Sequence, residues 1–434
     1  MSTSELNGSG PSTKGQGSSM LGAMCNFINT IVGAGIIGLP YAFEQTGVFT
    51  GVILLAIVAA FVEYGVRGLI TTGDRTSKNS YEALCEKSLG KVGYVIVTVF
   101  MFIFAFGAMI AYIGVIGDNV PIVFDEFWPG SFMTDKTYST LVFSIAFILP
   151  LCLLKNMSSL QYSSGVSLVL VVIFLAIVGI RAPTVAKDQD IRASTENNPY
   201  EFAKEDLFSG IGVMFFAFVC HQIVFNVYNS MEDKTPEKMS VVIRVSVLIS
   251  FVLSVALALI GYLSFFSQAE SSIFDNFSDE DNAICTARLF LSLTMVFTFP
   301  LEAFVARYSV LALFFGDGNY SDIVFYTVSL LVWGGAVAIG MVVSLGITLD
   351  ITSVISAATL AFLIPSVVLF AESEITPMKK FLNVFNCWKA DSECYTASLK
   401  ERWDHFATFF APFIMFIFGS FALVYETVTY ILDE

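Results

Sequence analysis

Apolar runs long enough to cross a lipid bilayer recur along almost the whole chain. A membrane-spanning helix needs about 20 predominantly apolar residues, and the stretches 48–69, 160–180 and 241–266 all reach that length. Charged side chains make up only 14% of the 434 residues, and the mean hydropathy is +0.75, so a soluble domain cannot enclose this much apolar surface. The sequence therefore predicts an all-α polytopic membrane protein.

Eleven spans are predicted, and polar segments separate them. They run over about 20–43, 48–69, 92–116, 138–153, 160–180, 207–228, 241–266, 287–315, 323–345, 351–370 and 406–432. The third span is expected to end at Gly117-Asp118-Asn119, and 81–89 to form a short interfacial helix. The polar tail 1–19 is expected to be disordered. The segment 181–206 is expected to form an outside loop, and 371–405 a cytosolic segment before the eleventh helix at 406–434.

The placement of Lys and Arg predicts the orientation in the membrane. If the N-terminus is cytosolic, most of the 22 basic residues fall on the cytosolic side, as the positive-inside rule requires. The C-terminus then lies outside or in a lumen. The net charge of −15 excludes a general attraction to nucleic acid. The long apolar runs make the lipid bilayer the expected partner.

The first span contains a stretch, 26–41, that indicates a helix interrupted in its middle. Gly33 and Gly35 favour unwinding at the depth where a membrane helix is normally most regular. In hydrocarbon every backbone donor and acceptor needs a partner, so an interruption persists only where protein or a water-filled cavity covers it. The alternative is that Gly33, Ala34, Gly35 and Gly38 are small residues that admit a neighbouring helix closely.

The sixth span carries polar side chains within an aromatic and aliphatic run. These are Cys220, His221, Gln222 and Asn226. Ionisable groups at membrane depth are costly and usually face a cavity or the interior of the bundle. A single membrane histidine fits an interior hydrogen bond as well as it fits the handling of substrate or protons, so both interpretations stay open.

The eighth span presents Thr294, Thr298 and Glu302 at successive intervals of four, with Pro300 between the last two. This spacing places the three polar side chains on one face of a helix. Hydroxyl groups in membrane helices commonly bond back to their own backbone carbonyls. Three polar groups along one stripe nevertheless favour a face that lines a site.

The two interrupted spans occupy corresponding places in the chain. The first opens a block of five spans over 20–180, and the sixth opens a second block over 207–370. Five plus five spans with matching interruptions are typical of inverted-repeat transporters, which bind substrate and ion at half-helix ends. Freed amides attract a carboxylate, and freed carbonyls attract an ammonium group or sodium. An amino-acid zwitterion offers both charges.

Three stretches resemble the amino acid/auxin permease family, and within it the sodium-coupled neutral amino acid transporters and the vacuolar amino acid transporters. They are Asn-Phe-Ile-Asn-Thr-Ile-Val-Gly-Ala-Gly-Ile-Ile-Gly-Leu-Pro-Tyr at 26–41, Phe-Val-Cys-His-Gln-Ile-Val-Phe-Asn-Val-Tyr at 218–228 and Thr-Phe-Pro-Leu-Glu-Ala-Phe-Val-Ala-Arg at 298–307. The similarity extends over about 20–430. Many relatives read Cys-His-Pro or Cys-His-His where this chain reads Cys-His-Gln.

The resemblance implies a LeuT-like fold and a secondary active transporter of neutral amino acids. Such a protein works by alternating access, as a symporter or antiporter coupled to sodium or protons. By similarity, the substrate would lie against Asn29, Val32, Gly33, Ala34, Gly35, Tyr112, Cys220, His221 and Phe225. The matching positions for a sodium ion are Asn29, Thr294 and Thr298. No cofactor other than this ion is expected.

The sequence also bears on two other classes of function, a receptor and an enzyme. An amino-acid-sensing membrane receptor would use the same binding site and signal through 1–19 or 371–405, but neither stretch is long enough for a folded signalling domain. An enzyme is not expected, because the two histidines lie far apart and no cluster of acids or activated nucleophile is visible. We expect a monomer in a vacuolar or lysosomal membrane or in the plasma membrane.

Overall fold

The computed structural model describes residues 17–189, 191, 210–316, 320–352, 356–372, 411–425 and 427. These residues form helices and connecting turns, and none of them belongs to a β-strand. The helices are α1 (Met20–Ile31), α2 (Leu39–Thr46), α3 (Val48–Thr76), α4 (Tyr81–Phe127), α5 (Lys136–Cys152), α6 (Gln161–Asp188), α7 (Ile211–Phe218), α8 (Val224–Ser230), α9 (Pro236–Phe265), α10 (Asn282–Phe315), α11 (Asp322–Gly340), α12 (Leu345–Thr352), α13 (Ile364–Ala371) and α14 (Ala411–Tyr425).

Within the described residues, seven helical segments are long and apolar enough to cross a membrane, and the bent pair α1–α2 makes an eighth. The protein is therefore a polytopic integral membrane protein, as the sequence predicts. Three shorter apolar helices, α5, α13 and α14, lie where the fourth, tenth and eleventh spans are predicted. The predicted tail up to residue 16 and most of the predicted segments 181–206 and 371–405 fall outside the described residues.

Helices α4 and α10 pack against each other along their length and form the interior of the bundle together with the interrupted helices. Helices α3, α6 and α9 are less buried and expose large apolar side chains such as Ile53, Val169 and Leu248. Lipid tails supply an apolar environment for such side chains. The inner helices carry buried polar side chains, among them Asn29, Asn119 and Glu302.

The predicted interruption of the first span is confirmed. Helix α1 ends at Ile31, and neither Val32 (ψ 60°) nor Gly33 (ψ −152°) has helical dihedral angles. The chain then forms a 3₁₀ turn over Ala34–Gly38 and continues as α2, at an angle of 46° to α1. The break falls at the first of the two glycines that indicate it.

The third predicted span is part of a longer helix. Helix α4 continues through Gly117-Asp118-Asn119 to Phe127. Gly117 does not end the helix, because its missing side chain instead makes room for α5: an added Cβ would lie 3.0 Å from the Thr140 hydroxyl. Asn119 stays helical and hydrogen-bonds to the Val115 carbonyl at 2.7 Å. The predicted helix over 81–89 is confirmed as the first turns of α4, which a left-handed Gly90 (φ 72°) separates from the span, and its location at the membrane interface stays a prediction.

Residue 181, the predicted boundary between the first repeat and the outside loop, lies within a helix, and the boundary itself stays a prediction. Helix α6 continues to Asp188 and contains Pro183. Proline removes one helical hydrogen bond, and the Thr184 hydroxyl donates to the Ile180 carbonyl at 3.1 Å in the same turn. Charged residues end the lipid-embedded part of a span, but a helix can extend beyond it into water.

Arg288 of α10 ties the segment between α9 and α10 to α4. Its guanidinium is 4% exposed and donates to the Asn119 side chain (3.0 Å), the Phe274 carbonyl (3.0 Å) and Asp279 (2.9 Å). It also lies over the Phe274 ring at 5.0 Å. One buried charge thus holds the connecting segment against the bundle.

Asp281 links α6 to the N-terminal end of α10, on the side of the bundle where Arg288 lies. It caps α10 by accepting from the amides of Ala283 and Ile284, and it accepts two hydrogen bonds from Arg181, at 2.9 and 2.5 Å. Burial raises the pKa of Asp281, but the hydrogen bonds from Arg181 and the two amides outweigh it and hold the pKa below its ordinary value. A carboxyl with a depressed pKa stabilises the fold above its unfolded pKa and loses that contribution as the pH falls.

We predict that Asp281→Asn removes part of the acid sensitivity of the protein. Asparagine keeps a good helix cap but loses the ion pair with Arg181. Thermal unfolding of the detergent-purified protein, followed by circular dichroism, should show that the wild-type midpoint falls more steeply than that of the variant below about pH 4. Asp322→Asn is the matched control, because its ion pair with Lys155 is open to solvent. Identical acid profiles for D281N and wild type would contradict the assignment.

Candidate functional site

The two interrupted spans lie against each other at their breaks. Helix α7 ends at Phe218, Val219 is extended (φ −69°, ψ 121°), and a 3₁₀ turn over His221–Ile223 leads into α8. Gly35, in the turn after the first break, faces the end of α7, and an added Cβ would lie 2.9 Å from the Ala217 Cα atom. Both predicted interruptions are therefore confirmed, and they are neighbours in space.

Tyr112 of α4 covers the first break. Its side chain is buried, and its hydroxyl would lie 2.8 Å from a Cβ built on Gly33. The expected substrate residues Val32, Gly33, Ala34, Gly35 and Tyr112 thus form one continuous patch. Gly33 has two roles in this patch, because its backbone leaves the helix and its missing side chain leaves room for the tyrosine.

Asn29 lies one turn before the break at the centre of a buried polar cluster. Its side-chain oxygen accepts hydrogen bonds from Thr298 of α10 (2.8 Å) and Ser167 of α6 (2.6 Å), and its amide nitrogen donates to Ser164 (3.3 Å). The Thr298 hydroxyl also contacts the Thr294 carbonyl at 2.8 Å. Two of the three residues expected to bind sodium, Asn29 and Thr298, are therefore in direct contact.

Thr294 takes part in this cluster through its backbone. Its own hydroxyl donates to the Phe290 carbonyl at 3.0 Å. The cluster offers neutral oxygen atoms from an amide, several hydroxyls and a helix carbonyl. Uncharged oxygen ligands of this kind, next to an unwound helix, suit sodium in membrane transporters.

Ser164 and Ser167 are not among the residues predicted from the sequence. Both are fully buried on α6, and both contact Asn29. Their spacing of three residues indicates that they lie on one face of a helix. The spacing does not indicate which helix that face meets, because this depends on the packing of α1 against α6.

Glu302, the third member of the polar stripe on α10, pairs with Gln222 in the turn after the second break. The Gln222 amide donates to one carboxylate oxygen of Glu302 at 3.0 Å, and both side chains are almost completely buried. Glu302 therefore lies beside the second interruption.

His221 and Phe225 are placed against α3. The His221 Nε2 atom would lie 3.1 Å from a Cβ on Gly65, and Pro365 and Met415 approach the same point. The Phe225 ring packs in the same way against Gly73, near the end of α3. Glycines on α3 thus make room for both side chains.

The chain is similar to known proteins over most of its length. A sequence model of the family described as "Transmembrane amino acid transporter protein" matches residues 16–385. The chain belongs to this family. Its relatives are transporters and not enzymes, which agrees with the expectation from the sequence. The resemblance to amino acid permeases is therefore confirmed.

Individual relatives are similar over most of the chain. A protein of Danio rerio named "Putative sodium-coupled neutral amino acid transporter 11" is 33% identical over 357 residues, which cover 81% of this chain and 79% of the relative. A protein of Mus musculus with the same name is 32% identical over 353 residues, covering 80% and 77%. "Sodium-coupled neutral amino acid symporter 2" of Danio rerio is 31% identical over 310 residues, covering 66% and 62%.

We predict that Gly33→Ala destabilises the protein and that removing the Tyr112 hydroxyl restores the lost stability. The added methyl would press on that hydroxyl, and overpacking of this kind costs about 1–3 kcal/mol. In the double variant G33A/Y112F the nearest remaining ring atom lies at 3.4 Å, which the structure can accommodate. Thermal unfolding of the two single variants and the double variant measures this coupling. Additive losses would show that Gly33 and Tyr112 do not meet.

Proposed function

We propose that this protein is a secondary active transporter that moves neutral amino acids across a membrane by alternating access and is coupled to sodium. The hydrogen bond between Asn29 and Thr298, at 2.8 Å, carries the proposal, because it joins the first span to α10 one turn before the break. The names of the relatives support both the substrate class and the ion.

In this proposal the chain has the LeuT-like architecture of eleven spans, in which two blocks of five form an inverted repeat. The adjacent breaks at Val32–Gly33 and Val219–Cys220 support it, since such transporters bind substrate between discontinuous helices. The substrate carboxylate binds at Val32, Gly33, Ala34 and Gly35 beside Tyr112, and the rest of the substrate extends towards Cys220.

Sodium binds in the cluster around Asn29 and Thr298. Serine and threonine hydroxyls and the Thr294 carbonyl supply further oxygen ligands. Because Asn29 belongs to the interrupted helix, an ion held there fixes α1 relative to α10. Ion binding would thereby order the region to which the substrate binds, which is the physical basis for coupling.

A flux measurement tests the proposal. Purified protein in lipid vesicles should take up labelled L-alanine when an inward sodium gradient is imposed, and replacing sodium by potassium should abolish the uptake. A pH gradient imposed separately shows whether protons can replace sodium. Uptake that persists after both gradients collapse would contradict coupling. Saturable binding of L-alanine without any flux would instead favour an amino-acid sensor.

We predict that Thr298→Val raises the sodium concentration for half-maximal uptake by roughly tenfold. Valine has nearly the shape of threonine but lacks the hydroxyl that contacts Asn29, and a lost ligand or hydrogen bond in a buried site costs about 1–2 kcal/mol. Thr286→Val is the matched control on the same helix, because Thr286 bonds only to its own backbone in an exposed position. Equal sodium requirements for T298V and T286V would show that this cluster is not the ion site.

A further inference from the structure

We propose that Glu302 and Gln222 form the subsite for the positively charged amino group of the substrate. This inference rests on the proposed function and specifies which side chains recognise the amine. It would make Glu302 a specificity-determining residue, because a ligand with a hydroxyl in place of the ammonium group would leave the carboxylate uncompensated.

Two buried hydrogen-bond acceptors at this position lack a donor among the described residues. The Gln222 amide donates to one oxygen of Glu302, so its carbonyl oxygen points away from that contact. The unpaired atoms are this Gln222 oxygen and the second Glu302 oxygen. Buried polar atoms in native structures are normally paired. An ammonium group has three hydrogen-bond donors and no acceptor, so it is the type of ligand that two such acceptors favour.

The charge of Glu302 leads to the same assignment. Glu302 is 1% exposed, and no ion pair to it is found in the described part of the chain. The two buried arginines of the same helix are engaged elsewhere: Arg288 with Asp279, and Arg307 with the Cys152 carbonyl and Ser329. A carboxylate at this depth is costly without a compensating charge. The ammonium group of a bound amino acid supplies that charge.

Position supports the same assignment. Thr298 contacts Asn29 one turn before the first break, and Glu302 lies one turn further along the same face of α10. The carboxylate and ammonium groups of an α-amino acid are attached to the same carbon atom. A substrate whose carboxylate lies at the Gly33 break can therefore direct its ammonium group towards Glu302 and Gln222.

Competition between L-alanine and L-lactate tests the assignment. L-lactate has the same carbon skeleton and carboxylate as L-alanine but a hydroxyl in place of the ammonium group. In vesicles at saturating sodium, wild-type protein should prefer alanine strongly. Glu302→Gln should raise the alanine concentration for half-maximal uptake about ten- to a hundredfold and reduce the preference over lactate by a similar factor, because hydrogen bonds to charged groups are worth about 1.5–3 kcal/mol.

One control variant and one second test variant complete the experiment. Ser309→Ala alters another fully buried polar side chain of α10 and should leave the alanine affinity unchanged. Gln222→Leu removes the second acceptor and should weaken alanine severalfold, so it carries the test if E302Q does not fold. Thermal unfolding in detergent establishes which variants are folded.

Several results would overturn the assignment. Folded E302Q and Q222L with wild-type alanine affinity and selectivity would do so. So would a change in E302Q that affects only the sodium requirement or only the pH dependence of uptake, because Glu302 would then bind an ion or a proton. If wild-type vesicles take up L-alanine but the variants behave like wild type, only the subsite is wrong. If wild-type vesicles take up no neutral amino acid, the proposed function fails as well.

Discussion

Every backbone amide and carbonyl within a membrane needs a hydrogen-bond partner, and this requirement explains the arrangement of the bundle. The two spans that break, at Val32–Gly33 and at Val219–Cys220, are enclosed by each other and by α4 and α10. The less buried helices α3, α6 and α9 have long regular segments and expose apolar side chains. Within the described residues the two breaks are thus enclosed by protein rather than lipid, and they lie where the proposed substrate would bind.

Polar side chains inside the bundle fall into two groups. Those of Asn29 and Arg307 are hydrogen-bonded to the protein, and Arg307 binds the Cys152 carbonyl at the C-terminal end of α5, where a positive charge is favourable. Glu302 and Gln222, in contrast, each keep one buried acceptor without a donor among the described residues. The hydrogen bonds of the first group also stabilise the fold. The unpaired acceptors of the second group are among several buried polar atoms that lack a partner in the described residues, and their position beside the second break supports the proposed subsite.

The sequence predicts the membrane class, the two interruptions and the contact between Asn29 and Thr298, because these depend on local composition and on a family resemblance. It fails where the outcome depends on packing. Gly117 is predicted to lie at the end of the third span, and nothing in the sequence shows that it makes room for Thr140 of α5. Ser164 and Ser167 gave no sign that they would meet Asn29, which lies 135 and 138 residues away in the chain. Hydropathy measures the part of a helix that lies in lipid, so it also could not show that α4 and α6 continue beyond it.

The position of α10 suggests how ion and substrate would influence each other in the proposed transporter. Thr298 and Glu302 are one turn apart on the same face of this helix, so the neutral cluster and the carboxylate are adjacent. Pro300 lies between them and cannot donate a helical hydrogen bond, so this turn has one backbone hydrogen bond fewer than a regular turn. In the proposed transporter, an ion that holds Thr298 beside Asn29 would also set the position of Glu302. Any effect of one ligand on the affinity of the other is reciprocal, and neither ligand needs to contact the other.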